Sequence, residues 1–208
     1  MNNKMNENYI IAELIIKKDD INKDIRIINS FENYKKEKKM KDQENDYEFK
    51  NEKEIKEKCQ IIINNKKLNF NYYNKFQKVG KYEIKYIFNE NIEKASFMFF
   101  ECNNLINIDL SDFNTRNITN MRSMFNGCIS LKELDLSNFN TINVTNMNYM
   151  FRECNSLVNI NLTNFKTQNV INMSNMFNRC NSLAYIDLSN FILIMSQISM
   201  VCSMDVIL

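Results

Sequence analysis

The chain has no histidine, no proline and no tryptophan, and only two glycines, Gly80 and Gly127, in 208 residues. Without histidine, no Ser–His or Cys–His nucleophile pair can be assembled. Two isolated glycines cannot form a Gly-rich phosphate loop. The six cysteines include no CxxC pair, so the ligand spacing of a zinc site is missing too. The sequence therefore predicts no metal, no cofactor, no catalytic residue and no small-molecule substrate, although its carboxylates single out no pair either way. An excess of one charge is also lacking: 27 basic and 25 acidic side chains leave a net +2, so neither nucleic acid nor an anionic membrane is an expected partner. Long apolar runs are absent as well. Tyr9 to Ile16 is interrupted by Glu13 and is too short for a signal core or a membrane span. No signal peptide, transmembrane helix or membrane insertion is expected, and on these residues alone the protein is intracellular with reduced thiols.

What the sequence has in quantity is self-similarity, which takes precedence over any local reading. MFNGCISLKELDLSNFNTINVTN from Met124, MFRECNSLVNINLTNFKTQNVIN from Met150 and MFNRCNSLAYIDLSNF from Met176 start 26 residues apart (150 − 124 and 176 − 150), and a further copy starts at Met98. Within a unit, Leu131, Leu134, Leu136 and Phe139 follow L-x-x-L-x-L-x-x-F, with the alternation of a short strand around Leu134 and Leu136. Val144, Met147, Met150 or Phe151, and Cys154 then recur every three to four residues, as on a helix stripe, and Thr141 or Asn143 is placed to cap it. Ordering each backbone residue costs about 1–2 kcal/mol, which a lone unit cannot offset, so the units must share one stacked core. Subtracting 26 from Leu105, Ile108, Leu110 and Phe113 reaches Val79, Tyr82, Ile84 and Ile87. Residues 79–98 thus read as a degenerate first copy. The predicted fold is an α/β repeat solenoid, a leucine-rich-repeat-like stack with one short parallel strand and one helical segment per repeat, preceded by a small β-rich N-terminal region.

The strings MFNGC-x-SL and LDLSNFNT-x-NVTNM resemble the BspA-like leucine-rich-repeat surface proteins and their 26-residue surface-protein repeat, over residues 79–191. That resemblance implies a non-catalytic protein-interaction or adhesion module with an unidentified protein ligand, at a cell surface. Phe139 departs from it, standing where ordinary leucine-rich repeats carry a ladder asparagine. The alternative function is an intracellular scaffold or regulatory repeat protein, or a truncated non-functional duplicate.

In such a stack, outward residues of successive strands form columns about 4.8 Å apart. Three columns are the candidate binding site: Asn107, Glu133, Asn159 and Tyr185; Asp109, Asp135, Asn161 and Asp187; Ser111, Ser137, Thr163 and Ser189. They form either a mildly acidic recognition face or a solvated polar ladder kept by repeat duplication. Cys102, Cys128, Cys154 and Cys180 share one position on the apolar stripe and read as core thiols rather than metal ligands. The abundance of Asn, Lys and Ile is compatible with an AT-rich coding sequence and carries no assigned role.

Residues 1–78 hold 18 of the 27 basic and 14 of the 25 acidic groups and read as a charged, β-rich accessory or capping region. Tyr9 to Ile16 and Ile25 to Ile28 suit strands, Cys59 to Ile63 can pair with Leu68 to Phe70 around Asn64 and Asn65, and Glu32 to Lys58 reads as a helix or connector. Residues 192–208 are an off-pattern hydrophobic tail. Its 17 residues and Asp205 argue against a membrane anchor. Reading each codon's third base with the next codon's first two permits N-V-T-N-I-x-G-M-F-N-G-C-N over positions 195–207, in register with Asn169, Met176 and Cys180. A one-nucleotide frameshift near codon 192 is therefore expected. Sequencing genomic DNA and cDNA across it should reveal repeat-coding DNA in the shifted frame; an intact frame with none downstream refutes the idea.

Overall fold

The structure is a computed structural model and describes residues 8–192; the off-pattern tail beyond residue 192 lies outside them. Strand β1, Tyr9–Ile16, buries Ile10, Ala12, Leu14 and Ile16 on one face, as its alternating apolar pattern requires. Short β2, Asp24–Arg26, precedes helix α1, Phe31–Glu37, whose first turn is capped by Ser30 Oγ accepting from the Asn33 N–H at 3.1 Å. A 3-10 turn, Glu44–Glu48, leads to helix α2, Glu52–Lys58. Next come β3, Cys59–Ile63, and β4, Lys66–Leu68, whose two-residue loop has Asn64 and Asn65 at φ 46° and 65°. Asparagine tolerates this left-handed pair, which matches the twist of a tight hairpin. Strands β5, Tyr73–Lys75, β6, Gly80–Phe88, β7, Leu105–Asp109, β8, Glu133–Asp135, and β9, Asn159–Asn161, complete the described elements.

The sheet order β4-β3-β6-β1-β7 is antiparallel throughout, with β1 inserted between β6 and β7: Ile11 lies opposite Lys85 on one side and Asp109 on the other. Strand β2 pairs antiparallel with β5. Parallel pairing joins β8 with β9, and isolated parallel bridges join Lys94, Asn120, Asn146 and Asn172. The expected α/β repeat solenoid, with a parallel strand and a helix in every repeat, is therefore incorrect. Both α-helices precede the repeats, and the structure is mostly antiparallel sheet.

The supposed helix stripe is a run of turns. Met124, Asn126 and Cys128 donate their N–H to the carbonyls of Met121, Ser123 and Phe125, three residues back, at 3.1–3.2 Å. The intervening N–H groups of Met121, Ser123, Phe125 and Gly127 donate instead to Asn146, Asn148, Met150 and Arg152 of the next unit, at 2.8–3.0 Å. An α-helix would spend every N–H inside the unit. Three-residue closure gives nearly the same apolar spacing as a helix, which is why the pattern misled. Ser123, Gly127, Tyr149 and Glu153 adopt φ between 54° and 79°, a conformation that costs most side chains about 1–2 kcal/mol and persists because both neighbours pin it. At Gly127 a Cβ would also press on Glu101 Cγ at 3.2 Å. Thr141 and Asn143 cap no helix. Thr141 Oγ1 is buried, donating to the Lys166 carbonyl at 3.0 Å and accepting from its N–H at 2.7 Å, while Asn143 Nδ2 donates to the Arg116 carbonyl at 2.8 Å.

Equivalent side chains superpose from unit to unit. Phe99, Phe125, Phe151 and Phe177 stack at 5.7, 5.9 and 5.2 Å, and Phe139, Phe165 and Phe191 stack at 6.3 and 6.1 Å. One continuous core joins these rings to Ile10, Leu14, Ile61 and Ile84 of the antiparallel sheet. The 79–98 segment divides: its first half is β6, with Val79 60% exposed, and its second half bonds to the following unit, the Thr119 N–H donating to the Glu93 carbonyl at 2.8 Å and Lys94 bridging to Asn120. Carbonyls of that first unit are met from the N-terminal side by the Asn29 N–H, 2.7 Å from the Met98 oxygen, and by Asn51 Nδ2, 2.6 Å from the Ser96 oxygen. No helix among the described residues is long and apolar enough to cross a membrane.

Replacing Phe151, which has rings stacked on both sides, by Ala should cost about 3–5 kcal/mol in urea unfolding. Thr141→Val, which removes the hydroxyl that serves both the Lys166 N–H and its carbonyl, should cost about 1–3 kcal/mol. A Phe151→Ala loss below about 1 kcal/mol would contradict the shared-core reading.

Candidate functional site

The outward columns are built by the strand segments and the turns that end them. Pairing of β8 with β9 sets Glu133 opposite Asn159 and Asp135 opposite Asn161, with Leu134 and Ile160 between them pointing toward the core. In the preceding unit, Asn107 lies opposite Glu13 and Asp109 opposite Ile11, so the columns continue onto the outer face of the antiparallel sheet. Tyr185, 64% exposed, ends the first column. All twelve sequence-identified positions are exposed or half-buried.

The middle column is tied to the backbone. The Oδ1 atoms of Asp109, Asp135 and Asp187 each accept the N–H two residues on, from Ser111, Ser137 and Ser189, at 2.9 Å. Asn161 does the same for Thr163 at 3.2 Å, and also accepts its hydroxyl at 2.9 Å. An uncharged amide thus fills the same position, so the turn demands an acceptor oxygen rather than a negative charge. The Ser189 backbone N–H and hydroxyl hold the Asp187 carboxyl below the usual range. The serine and threonine column supplies these N–H donors and follows from the turn. The first column is freer: Glu133 Oε1 accepts from Asn159 Nδ2 at 3.3 Å, and Asn107 Oδ1 accepts from the Ile108 N–H at 3.0 Å.

Asparagine does much of the wiring between units, a role the sequence reading left unassigned. Asn138, Asn164 and Asn190 donate from Nδ2 to the carbonyls of Ser111, Ser137 and Thr163, at 3.4, 2.6 and 2.8 Å. Each sits 26 residues after the last (164 − 138, 190 − 164), a regularity that base composition does not explain.

The cysteine column is also structural. Cys128, Cys154 and Cys180 are buried, each donating Sγ–H to the Phe99, Phe125 or Phe151 carbonyl of the previous unit at 3.0–3.2 Å. Among the described residues no group of three or more His, Cys, Asp or Glu side chains could hold a metal. Burial pushes the Cys59 and Cys102 thiols up to about 12 and those of Cys128 and Cys154 well above the ordinary value. A thiol held protonated is a poor nucleophile. These cysteines should therefore resist iodoacetamide at pH 8 in the folded protein and react fully in 6 M guanidinium, as read by intact mass; alkylation of Cys154 before unfolding would refute this packing.

The N-terminal region contributes a second surface that the sequence did not reveal. An aromatic cluster of Phe31, Tyr34, Phe49, Phe97 and Phe100, with ring centroids 4.5–5.4 Å apart, seats α1 and the Glu44–Glu48 turn on the first unit. Buried Lys35 is paired with Asp46 and, at 2.9 Å, with Asp42. Beside the cluster, Arg122 lies over the Phe49 ring at 4.7 Å and the Tyr149 ring at 5.8 Å. No periodic position announces it: residues 96, 148 and 174 are Ser, Asn and Ser.

No curated protein and no solved structure matches the chain. A family model described as Mycoplasma protein of unknown function, DUF285, matches residues 65–191, which is 127 of 208 positions and takes in β4 to β9. By that match, over more than half its length, the chain belongs to the DUF285 family of Mycoplasma proteins of unknown function.

Proposed function

We propose that this protein is a non-catalytic protein-interaction module that meets its partner through the first outward column, Asn107, Glu133, Asn159 and Tyr185. The observation that carries the reading is the freedom of that column on a rigid backbone: its side chains reach solvent, while the neighbouring aspartate column is occupied by its own turns. A preorganised support lowers the ordering cost of binding, and an exposed tyrosine at the column's end suits an interface anchor. The resemblance of the repeat strings to BspA-like surface proteins supports an adhesion role. Buried cysteines that carry no disulfide, such as Cys59, Cys102, Cys128 and Cys154, support the alternative, an intracellular scaffold.

Photo-cross-linking of the full chain in cells tests the surface. A cross-linking residue at position 159 or 185 should yield one shared adduct that is missing when the same residue replaces Gln168. Glu133→Lys with Tyr185→Ala should abolish that adduct while shifting unfolding by less than about 1 kcal/mol. Equal adducts from all three positions would overturn the proposal, and protease treatment of intact cells separates adhesion from scaffold.

A further inference from the structure

The repeats have a second face, the run of turns, and the chain already covers the start of it with an acidic, aromatic segment of its own. Residues Glu44–Phe49, ENDYEF, lie across this face at the first two units. Lys94 Nζ donates to the Tyr47 carbonyl at 2.7 Å, Asn120 Nδ2 donates to the Glu48 carbonyl at 3.2 Å, and the Phe49 ring packs on Arg122. Asn120 is one rung of the bridge ladder that continues to Asn146 and Asn172. All three use Oδ1 alike, accepting the N–H two residues on, from Arg122, Asn148 and Ser174 at 3.0 Å. The Nδ2 groups of Asn146 and Asn172, equivalent to the one that holds Glu48, have no acceptor among the described residues.

Charge on the uncovered units is unbalanced. The Arg122 guanidinium has no carboxylate or hydrogen-bond acceptor among the described residues, its Nε is buried without a partner, and burial lowers its pKa. Arg152 lies over the Tyr149 ring at 5.4 Å, and Arg152 and Arg179 share one carboxylate, Glu153, at 2.9 and 3.0 Å. Two guanidinium groups, Arg122 and Arg152, thus lie over one aromatic ring, and Glu153 is shared by Arg152 and Arg179. Asn148, 5% exposed, adds a buried Oδ1 with no donor among the described residues. A half-buried arginine held by aromatic rings presents a preorganised fork suited to a carboxylate.

We infer that the turn face running through Asn146–Arg152 and Asn172–Arg179 docks an acidic, aromatic segment of another protein, laid beside the chain's own Glu44–Phe49. A backbone carbonyl of that segment accepts from Asn146 Nδ2, a carboxylate pairs with Arg122, and an aromatic side chain packs at Tyr149. This surface is independent of the outward columns.

Fluorescence anisotropy with the labelled peptide ENDYEF as probe and the full chain as receptor tests the idea. The peptide should bind, and its analogue QNNYQF, lacking carboxylates, should bind about tenfold or more weaker. Arg122→Gln and Arg152→Gln should each weaken binding by about tenfold with unchanged unfolding midpoints, Arg152→Gln serving where Arg122→Gln fails to fold. Hydrogen exchange across residues 44–49 should stay constant, since the peptide lies beside that segment. The inference is overturned by equal binding of QNNYQF, by indifference to both arginine substitutions, by displacement of residues 44–49, or by a single-stranded oligonucleotide binding more tightly than the peptide.

Discussion

Every second N–H in the turn run leaves its own unit and bonds to the next, and most other features of the repeats depend on that division. Because Met121, Ser123, Phe125 and Gly127 reach Asn146, Asn148, Met150 and Arg152, the offset between units is held at one value. Side chains 26 positions apart must then superpose. Stacked Phe125 and Phe151, the thiol of Cys154 on the Phe125 carbonyl, and Thr141 bridging both backbone groups of Lys166 are consequences of one register. The left-handed residues are part of the same arrangement, since only the alternation of conformations turns successive N–H groups in opposite directions. A single inserted residue would break all of these contacts together.

A stack built this way exposes unsatisfied groups at its start, and the N-terminal region answers them. Asn29 and Asn51 supply donors to the Met98 and Ser96 carbonyls, while β1 enters between β6 and β7 and joins the first repeat strand to the antiparallel sheet. Residues 8–78 are therefore packed into the same core as the repeats. The same packing brings the Glu44–Glu48 turn onto the run of turns and leaves Arg122 over the Phe49 and Tyr149 rings with no acid beside it among the described residues. Cap and candidate docking surface arise from one arrangement.

The parts readable in the sequence are those in which a local pattern has one structural meaning. Alternating Ile10, Ala12, Leu14 and Ile16 signal a half-buried strand, Asn64–Asn65 signals a tight hairpin, and the recurrence of Asp135, Asn161 and Asp187 directly after the core residues Leu134, Ile160 and Ile186 places them outward. The stripe Val144, Met147, Met150, Cys154 had two meanings, because a helix and a chain of three-residue turns repeat apolar residues at nearly the same interval. Only the destination of the N–H groups separates them, and that destination lies 25 residues away. The asparagine columns were visible as a period but not as a function, since a side-chain amide reveals its partner only when the neighbouring carbonyl is in place.

By itself the sequence determined the unit length, the apolar positions that share a core, and the outward columns, because each follows from spacing along a single chain. The tertiary structure decided what spacing cannot encode. It spent alternate N–H groups between units instead of within a helix, placed β1 between two strands almost a full unit apart, and set Phe49 and Tyr149 about an arginine that no repeat position marks. These outcomes are contacts between distant segments, and their energies depend on which groups become buried together rather than on any residue's own preference.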